Sequence, residues 1–361
     1  MKSNCPITIS KGESHLNALK HSGDAGAMTE FYREAGKSEN TQQSYKNAVN
    51  HFRFTWGGQL PATTESVCNY LSTFAQEYKV STLRQRLAAL SKWHKSQGFP
   101  DPTGETPVKE TMRGIAKLHQ ERQKQAYPLT FKHLVAICDA LEAQKIDSIR
   151  TADRGEILRT HRDLALILVG FWQGFRSDEL SRIVAENIVA HRDQGMTIFL
   201  PFSKTDKDAR GKKYELPVLL AYCPTTAYLN WLQVANITSG PVFKAINRWG
   251  RLAKVGINKK SIEQILNRVS DGLFPGEPRF TTHSLRRGFA DWAVNENWDA
   301  NTLMQHVGWR SLESARKYMP VRKDFGALAM KPYGGALSNE SDISTGGSTL
   351  LADFTKLTGP E

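Results

Sequence analysis

Thr281-Thr-His283-Ser-Leu-Arg286-Arg287-Gly-Phe-Ala290, followed by Leu303-Met-Gln-His306-Val-Gly-Trp309 and closed by Tyr318, decides how the chain is read. His283 and Arg286 stand three positions apart, which on a helix puts both on one face. Phe289, Ala290, Ala293 and Val294 continue an apolar stripe behind them, so the spacing predicts a half-buried helix starting near Thr282. Trp309 and Tyr318 are nine positions apart, and a helix from Leu312 to Tyr318, N-capped by Ser311, would carry the tyrosine. A histidine, an arginine, an indole and a phenol at these offsets suit attack on a phosphodiester. The phosphate needs cationic clamps, the nucleophile needs a proton acceptor, and a phenol can become a covalent carrier.

The rest of the chain fits a polyanionic substrate. Its 361 residues suggest about two domains, and 40% hydrophobic residues suffice for ordinary cores. The net charge of +12 makes nucleic acid the first expected partner; solvated surface lysines and arginines are the plainer explanation. Cys5, Cys68, Cys138 and Cys223 form no C-x-x-C pair, so neither disulfides nor zinc are expected and a reducing cytoplasm fits. No apolar run reaches about 18 residues and no signal-peptide core opens the chain, so no membrane partner is expected.

Residues 1–27 are polar and read as a mobile arm. Helical patterns follow over Met28 to Gly36, Thr41 to Gly57, Thr64 to Ala75, a segment capped by Ser81 with Leu83, Leu87, Leu90 and Trp93 inward, and Thr106 to Leu118. They make residues 28–119 a small all-helical domain. The polar segment 120–128 reads as a linker. Residues 129–330 then hold a helix from Thr130, an apolar helix from Arg162 to Phe171, and, after Gly174-Phe175-Arg176-Ser-Asp-Glu179-Leu180, a helix to Val184. Met196 to Phe202 and Lys213 to Val218 follow as a hairpin, with helices over Thr225 to Val234 and Lys259 to Val269 before the signature. Residues 331–361 form a tail rich in Ser, Thr and Gly; beyond Gly334 it carries Lys356 against Glu340, Asp342, Asp353 and Glu361.

The signature stretch resembles that of the tyrosine recombinases, the phage integrase family: His-x-x-Arg, a Gly-His or Gly-Trp pair, and a tyrosine nine residues on. Gly308-Trp309 fills the pair as in the Cre branch of the family. The resemblance covers roughly residues 28–330 and is specific in the catalytic part. It implies a mainly α fold, with a helical core-DNA-binding domain and an α/β catalytic domain that carries a small antiparallel sheet. It implies a site-specific recombinase that cuts and rejoins DNA through a 3′-phosphotyrosyl link and exchanges strands through a Holliday junction. The implied partners are double-stranded DNA carrying an inverted-repeat site and three further copies of the chain, a tetramer on two sites. The implied setting is the bacterial, phage or mobile-element nucleoid. A covalent link conserves bond energy, so no cofactor, ATP or metal is expected.

The resemblance also assigns roles. Arg176, in Gly174-Phe-Arg-Ser-Asp-Glu179-Leu, matches a Gly-x-Arg-x-x-Glu-Leu box whose arginine clamps the scissile phosphate. Read alone, Arg176 and Glu179 would be a structural i,i+3 pair. Lys204, in the hairpin turn, falls where the family has its general-acid lysine, with Lys207 as competitor and a solvated turn as the plain alternative. His283 exchanges the phenol's proton, Arg286 is the second clamp, Trp309 offers its indole N–H and excludes water, and Tyr318 attacks. His306 is twelve positions from Tyr318, the wrong offset, and reads as a packing residue. On the helical domain, Gln42, Lys46 and Arg53, and Thr82, Gln85, Arg86 and Lys92, with Ala89 among them, lie off the apolar stripes. They are expected to face the major groove, a solvated face being the alternative. Phe325 to Met330, or Leu350 to Leu357, would be a helix docking on a neighbouring subunit. The other readings are a type IB topoisomerase or telomere resolvase, and a non-catalytic DNA-binding regulator.

Overall fold

The computed structural model describes residues 25–36, 39–119, 125–201 and 210–318. Lys204, Lys207 and both proposed C-terminal helices lie outside the described residues.

The first part is helical. Helix α1 spans Ala25–Ala35, α2 Glu39–Asn50, α3 Thr64–Thr73, α4 Val80–Ser96 and α5 Thr106–Leu118. A wider turn over His51–Thr55 extends α2, with the Trp56 N–H reaching back to the His51 carbonyl at 3.0 Å. Phe52, Val67, Tyr70, Leu71, Leu83 and Leu90 are fully buried and, with Val108, Met112 and Ile115, form one core. These are residues the 3.6-residue periodicity turns inward. Ser81 does not cap α4: the helix starts at Val80 after Lys79. His94, on the inner face of α4, is fully buried. It accepts the Ala62 N–H through Nε2 at 2.9 Å, and Nδ1 donates to the Leu90 carbonyl at 2.8 Å.

The second part is built on one buried helix. α6 spans Phe131–Arg150 and α7 Arg154–Gln173. α6 opens on a capping box in which the Thr130 hydroxyl meets the His133 N–H and His133 Nδ1 accepts the Thr130 N–H. α7 starts a full two turns before the apolar stretch Arg162 to Phe171, ends just after it, and packs against α6, α9 (Pro224–Ala235) and α11 (Thr282–Asn295). Asp163, fully buried in it, pairs with Arg162 at 2.8 Å and with Arg268. The short helix α8 spans only Ser177–Ser181.

Strands β1 (Ile188–His191), β2 (Gly195–Leu200) and β3 (Lys212–Leu216) form an antiparallel sheet in that order; Ile198 faces Ile188 on one side and Tyr214 on the other. A separate hairpin pairs β4 (Lys244–Ile246) with β5 (Leu252–Gly256). Strands β1, β4 and β5 are short and have no fully buried residue, and their apolar and polar residues do not alternate cleanly, so the sequence pattern misses them. α10 (Lys259–Ser270), α11, α12 (Ala300–Val307) and α13 (Leu312–Arg316) complete the described residues. The segment before α6 lies against α11: a Cβ at Gly288 would meet the Leu129 carbonyl oxygen at 1.6 Å, so only glycine lets the two backbones approach.

Candidate active site

Three chain segments bring the signature together. α7 ends in a left-handed turn at Gly174, and Phe175, 2% exposed, carries the chain inward to Arg176 at the start of α8. Arg176 Nη1 binds Glu179 Oε1 at 2.7 Å, while its backbone N–H meets Glu179 Oε2 at 2.9 Å. Glu179 is buried and Arg176 half-buried, so the carboxylate fixes the guanidinium from behind. On α11, Arg286 is 5% exposed, and its Nη1 donates to the Gly174 carbonyl at 2.7 Å. Its Nη2 is buried and has no hydrogen-bond partner among the described residues. Burial, reinforced by the positive charge of Arg176, pulls the Arg286 pKa down to about 10, so it is still charged at neutral pH. Two neighbouring guanidiniums, one with a dry unused N–H, face a shortage of negative charge that an anion would meet.

The third segment carries the rings. Ser311 caps α13 through the Glu313 N–H. Tyr318 follows that helix and stacks on Trp309, ring centres 5.1 Å apart and planes 12° from parallel. The Arg286 guanidinium carbon lies 5.3 Å from the centre of the Trp309 ring, and that of Arg287 lies 5.9 Å from the Tyr318 ring. Arg287 also donates to the Ala126 carbonyl at 3.0 Å. His283 is exposed on the first turn of α11, one turn before Arg286. Arg176, Arg286, Trp309 and Tyr318 thus form one cluster around the C-terminal end of α7.

His306 sits behind that cluster. Its ring stacks on Phe289, centres 4.8 Å apart, and Nε2 donates to the Trp172 carbonyl at 2.7 Å. Gln173 returns the contact by donating to the His306 carbonyl at 2.7 Å. Phe289 belongs to an aromatic group with Trp172, Trp292 and Trp298 that backs α11; its members are scattered in sequence and only the fold collects them. Burial pulls the His306 pKa below the usual histidine value, as it does for His51 and His161. A histidine whose folded pKa lies below its unfolded value of about 6.5 gives its full stability above that pH and loses it as the pH falls through the folded value. The melting temperature is therefore expected to drop between pH 7 and pH 5, and less in His306→Phe, which keeps the stack but cannot titrate. Equal drops in the two proteins would show that His306 contributes none of it.

On the helical part, the residues expected to read DNA have different surroundings from one another. α2 packs on α4, so Ala89 is buried, and the Gln85 amide donates one exposed hydrogen bond to Ser44 Oγ at 2.5 Å. Arg86 turns inward: Nη1 donates to Tyr70 Oη at 2.6 Å and contacts His51 Nδ1, and the guanidinium lies 4.0 Å from the Tyr78 ring centre. Helical periodicity leaves Arg86 off the apolar stripe but cannot show which neighbour covers it. Gln42 is exposed and Thr82 half-buried. Lys46, Arg53 and Lys92 line one groove with Tyr45, Asn50 and Trp93.

A residue the signature does not mark lies beside the turn that carries Trp309. β3 begins at Lys212, whose ammonium donates to the Gln305 carbonyl and lies 4.8 Å from the Tyr214 ring centre. Among the described residues no group of His, Cys, Asp and Glu is arranged to hold a metal ion, and no helix is long and apolar enough to cross a membrane.

Residues 139–324 match the sequence model of the phage integrase family. An integrase/recombinase XerD homolog of Selenomonas ruminantium is 28% identical over 295 residues, 79% of this chain and 83% of that protein. The XerH site-specific recombinase, solved in a pre-cleavage complex with its difH substrate, shares the fold with a TM-score of 0.55 at 15% identity, covering 89% of this chain and 88% of that one. A lambda integrase dimer bound to a COC′ core site gives 0.51 at 15% identity, covering 88% and 98%.

Proposed function

Because the chain belongs to the phage integrase family and is thereby a site-specific tyrosine recombinase acting on DNA, we propose that Tyr318 is the nucleophile and that Arg176 and Arg286 clamp the scissile phosphate. The observation that carries this is the buried Nη2 of Arg286, without a hydrogen-bond partner among the described residues, held beside Arg176 and next to the Trp309–Tyr318 stack. Tyr318 Oη attacks phosphorus, the bond to the 5′-oxygen breaks, and the enzyme keeps the 3′-phosphate as a tyrosyl ester. The phenol gives its proton to His283, and the departing 5′-oxygen takes one from Lys204, with Lys207 the alternative donor. The two arginines bind the non-bridging oxygens, whose charge becomes more localised in the transition state. Attack by a partner strand's 5′-hydroxyl reverses the step, and a tetramer on two inverted-repeat sites would pass through a Holliday junction. Residues 28–119 are the core-DNA-binding domain in this reading, and 129–330 the catalytic domain.

A random duplex library incubated with the protein and stripped with denaturant yields the duplexes left covalently attached. Two copies of the selected site on one plasmid are then expected to give recombinants. Relaxation of a plasmid lacking the site, without recombinants from the two-site plasmid, would instead favour a topoisomerase.

The groove of Lys46, Arg53 and Lys92 is proposed to follow DNA phosphates. Replacing any one by Ala is expected to weaken binding alike on all sequences and to reduce the slope of log K against log salt by about 0.9. An unchanged slope would place that side chain off the DNA.

A further inference from the structure

Lys212 has no place in the signature, yet it touches the signature's turn. α12 ends where Gly308 adopts φ 75°, and the N–H groups of Gly308 and Trp309 both fold back onto the Met304 carbonyl at 2.9 Å. The Gln305 carbonyl, which a continuing helix would have bonded to residue 309, is left over, and the Lys212 ammonium takes it. A cation at a helix C-terminus also meets the negative end of the helix dipole. A Cβ at Gly308 would lie 3.1 Å from Tyr214 Oη and 3.5 Å from Lys212 Nζ, so these two β3 side chains form the surface on which the turn rests. The next residue is Trp309, against which Tyr318 stacks and over which Arg286 lies. Burial, and then the charge of Arg286, lower the Lys212 pKa while Glu179 opposes them, which puts the ammonium within the electrostatic reach of the clamp.

We propose that Lys212 is a positioning residue of the recombination reaction: by capping the Gln305 carbonyl beneath Gly308, it sets the Trp309–Tyr318 stack against Arg286. This rests on Tyr318 being the nucleophile. Side-chain alternation fits the role, since Lys212, Tyr214 and Leu216 share the inward face of β3 while Lys213 pairs outward with Glu215 at 2.7 Å.

The test is single-turnover cleavage of a nicked duplex carrying the selected site, with either oxygen or sulfur as the bridging 5′ atom. A sulfur leaving group needs no proton, so the pair separates positioning from proton donation. K212M is expected to slow adduct formation about 10²-fold on both substrates, the scale of a small misplacement of reacting groups. DNA binding should be unchanged, K212R should restore most of the rate by capping the same carbonyl, and K213M should behave as wild type. Rescue of K212M by sulfur would overturn the proposal by making Lys212 a proton donor. A wild-type rate in K212M, or a K212R as slow as K212M while its melting temperature matches wild type, would overturn it too. Should K212M not fold, K212R and K212Q, the latter keeping a donor without the charge, carry the same comparison. Absence of adduct with wild-type protein would be a different failure, that of the Tyr318 assignment.

Discussion

Tyr318→Phe is expected to abolish the covalent protein–DNA adduct, a loss of about 10⁴-fold or more as for other removed nucleophiles, with DNA binding unchanged. The substitution isolates the chemistry because the Tyr318 ring contributes to packing separately from its hydroxyl. Phenylalanine keeps the stack on Trp309, centres 5.1 Å apart and nearly parallel, and keeps the contact with the Arg287 guanidinium. Only Oη is lost. The measurement is a denaturing gel of the nicked duplex after incubation with each protein. Adduct in wild type alone assigns the nucleophile; adduct in both means another tyrosine attacks. No adduct in either, with binding retained, would favour the non-catalytic regulator.

Arg286→Met is expected to separate stability from activity. Removing one of two transition-state clamps costs about 10²–10³-fold in cleavage where preorganised donors are lost from a dry site. The same arginine is expensive to keep. It is nearly fully buried beside another cation, its Nη2 has no hydrogen-bond partner among the described residues, and its pKa is pulled down to about 10, which says that the fold disfavours its charge. Methionine fills similar space without the charge. The melting temperature should not fall, while adduct formation collapses; Arg286→Lys should keep the charge but lose the two-pronged grip and most of the rate. A lower melting temperature in Arg286→Met would mean that the bond to the Gly174 carbonyl outweighs the burial of charge. Unaltered cleavage would remove Arg286 from the clamp.

Much of this molecule was legible in one dimension because it depends on local rules. Helix α5 has the bounds that the periodicity gives, Thr106 to Leu118, and Trp231 is fully buried in α9 as its pattern requires. The phage integrase assignment needed only residue types at fixed offsets, since His-x-x-Arg and the nine-residue step from Trp309 to Tyr318 are properties of the chain itself. What the sequence left open depends on contacts between distant segments. Arg86 lies off its own helix's apolar stripe yet turns into a cluster with His51, Tyr70 and Tyr78, because α2 packs across that face. Lys212 is one lysine among many until α12 ends beside it and its ammonium takes the Gln305 carbonyl. Periodicity says which side of an element is buried; which partner covers it, and which polar group is left there needing a bond, only tertiary packing decides.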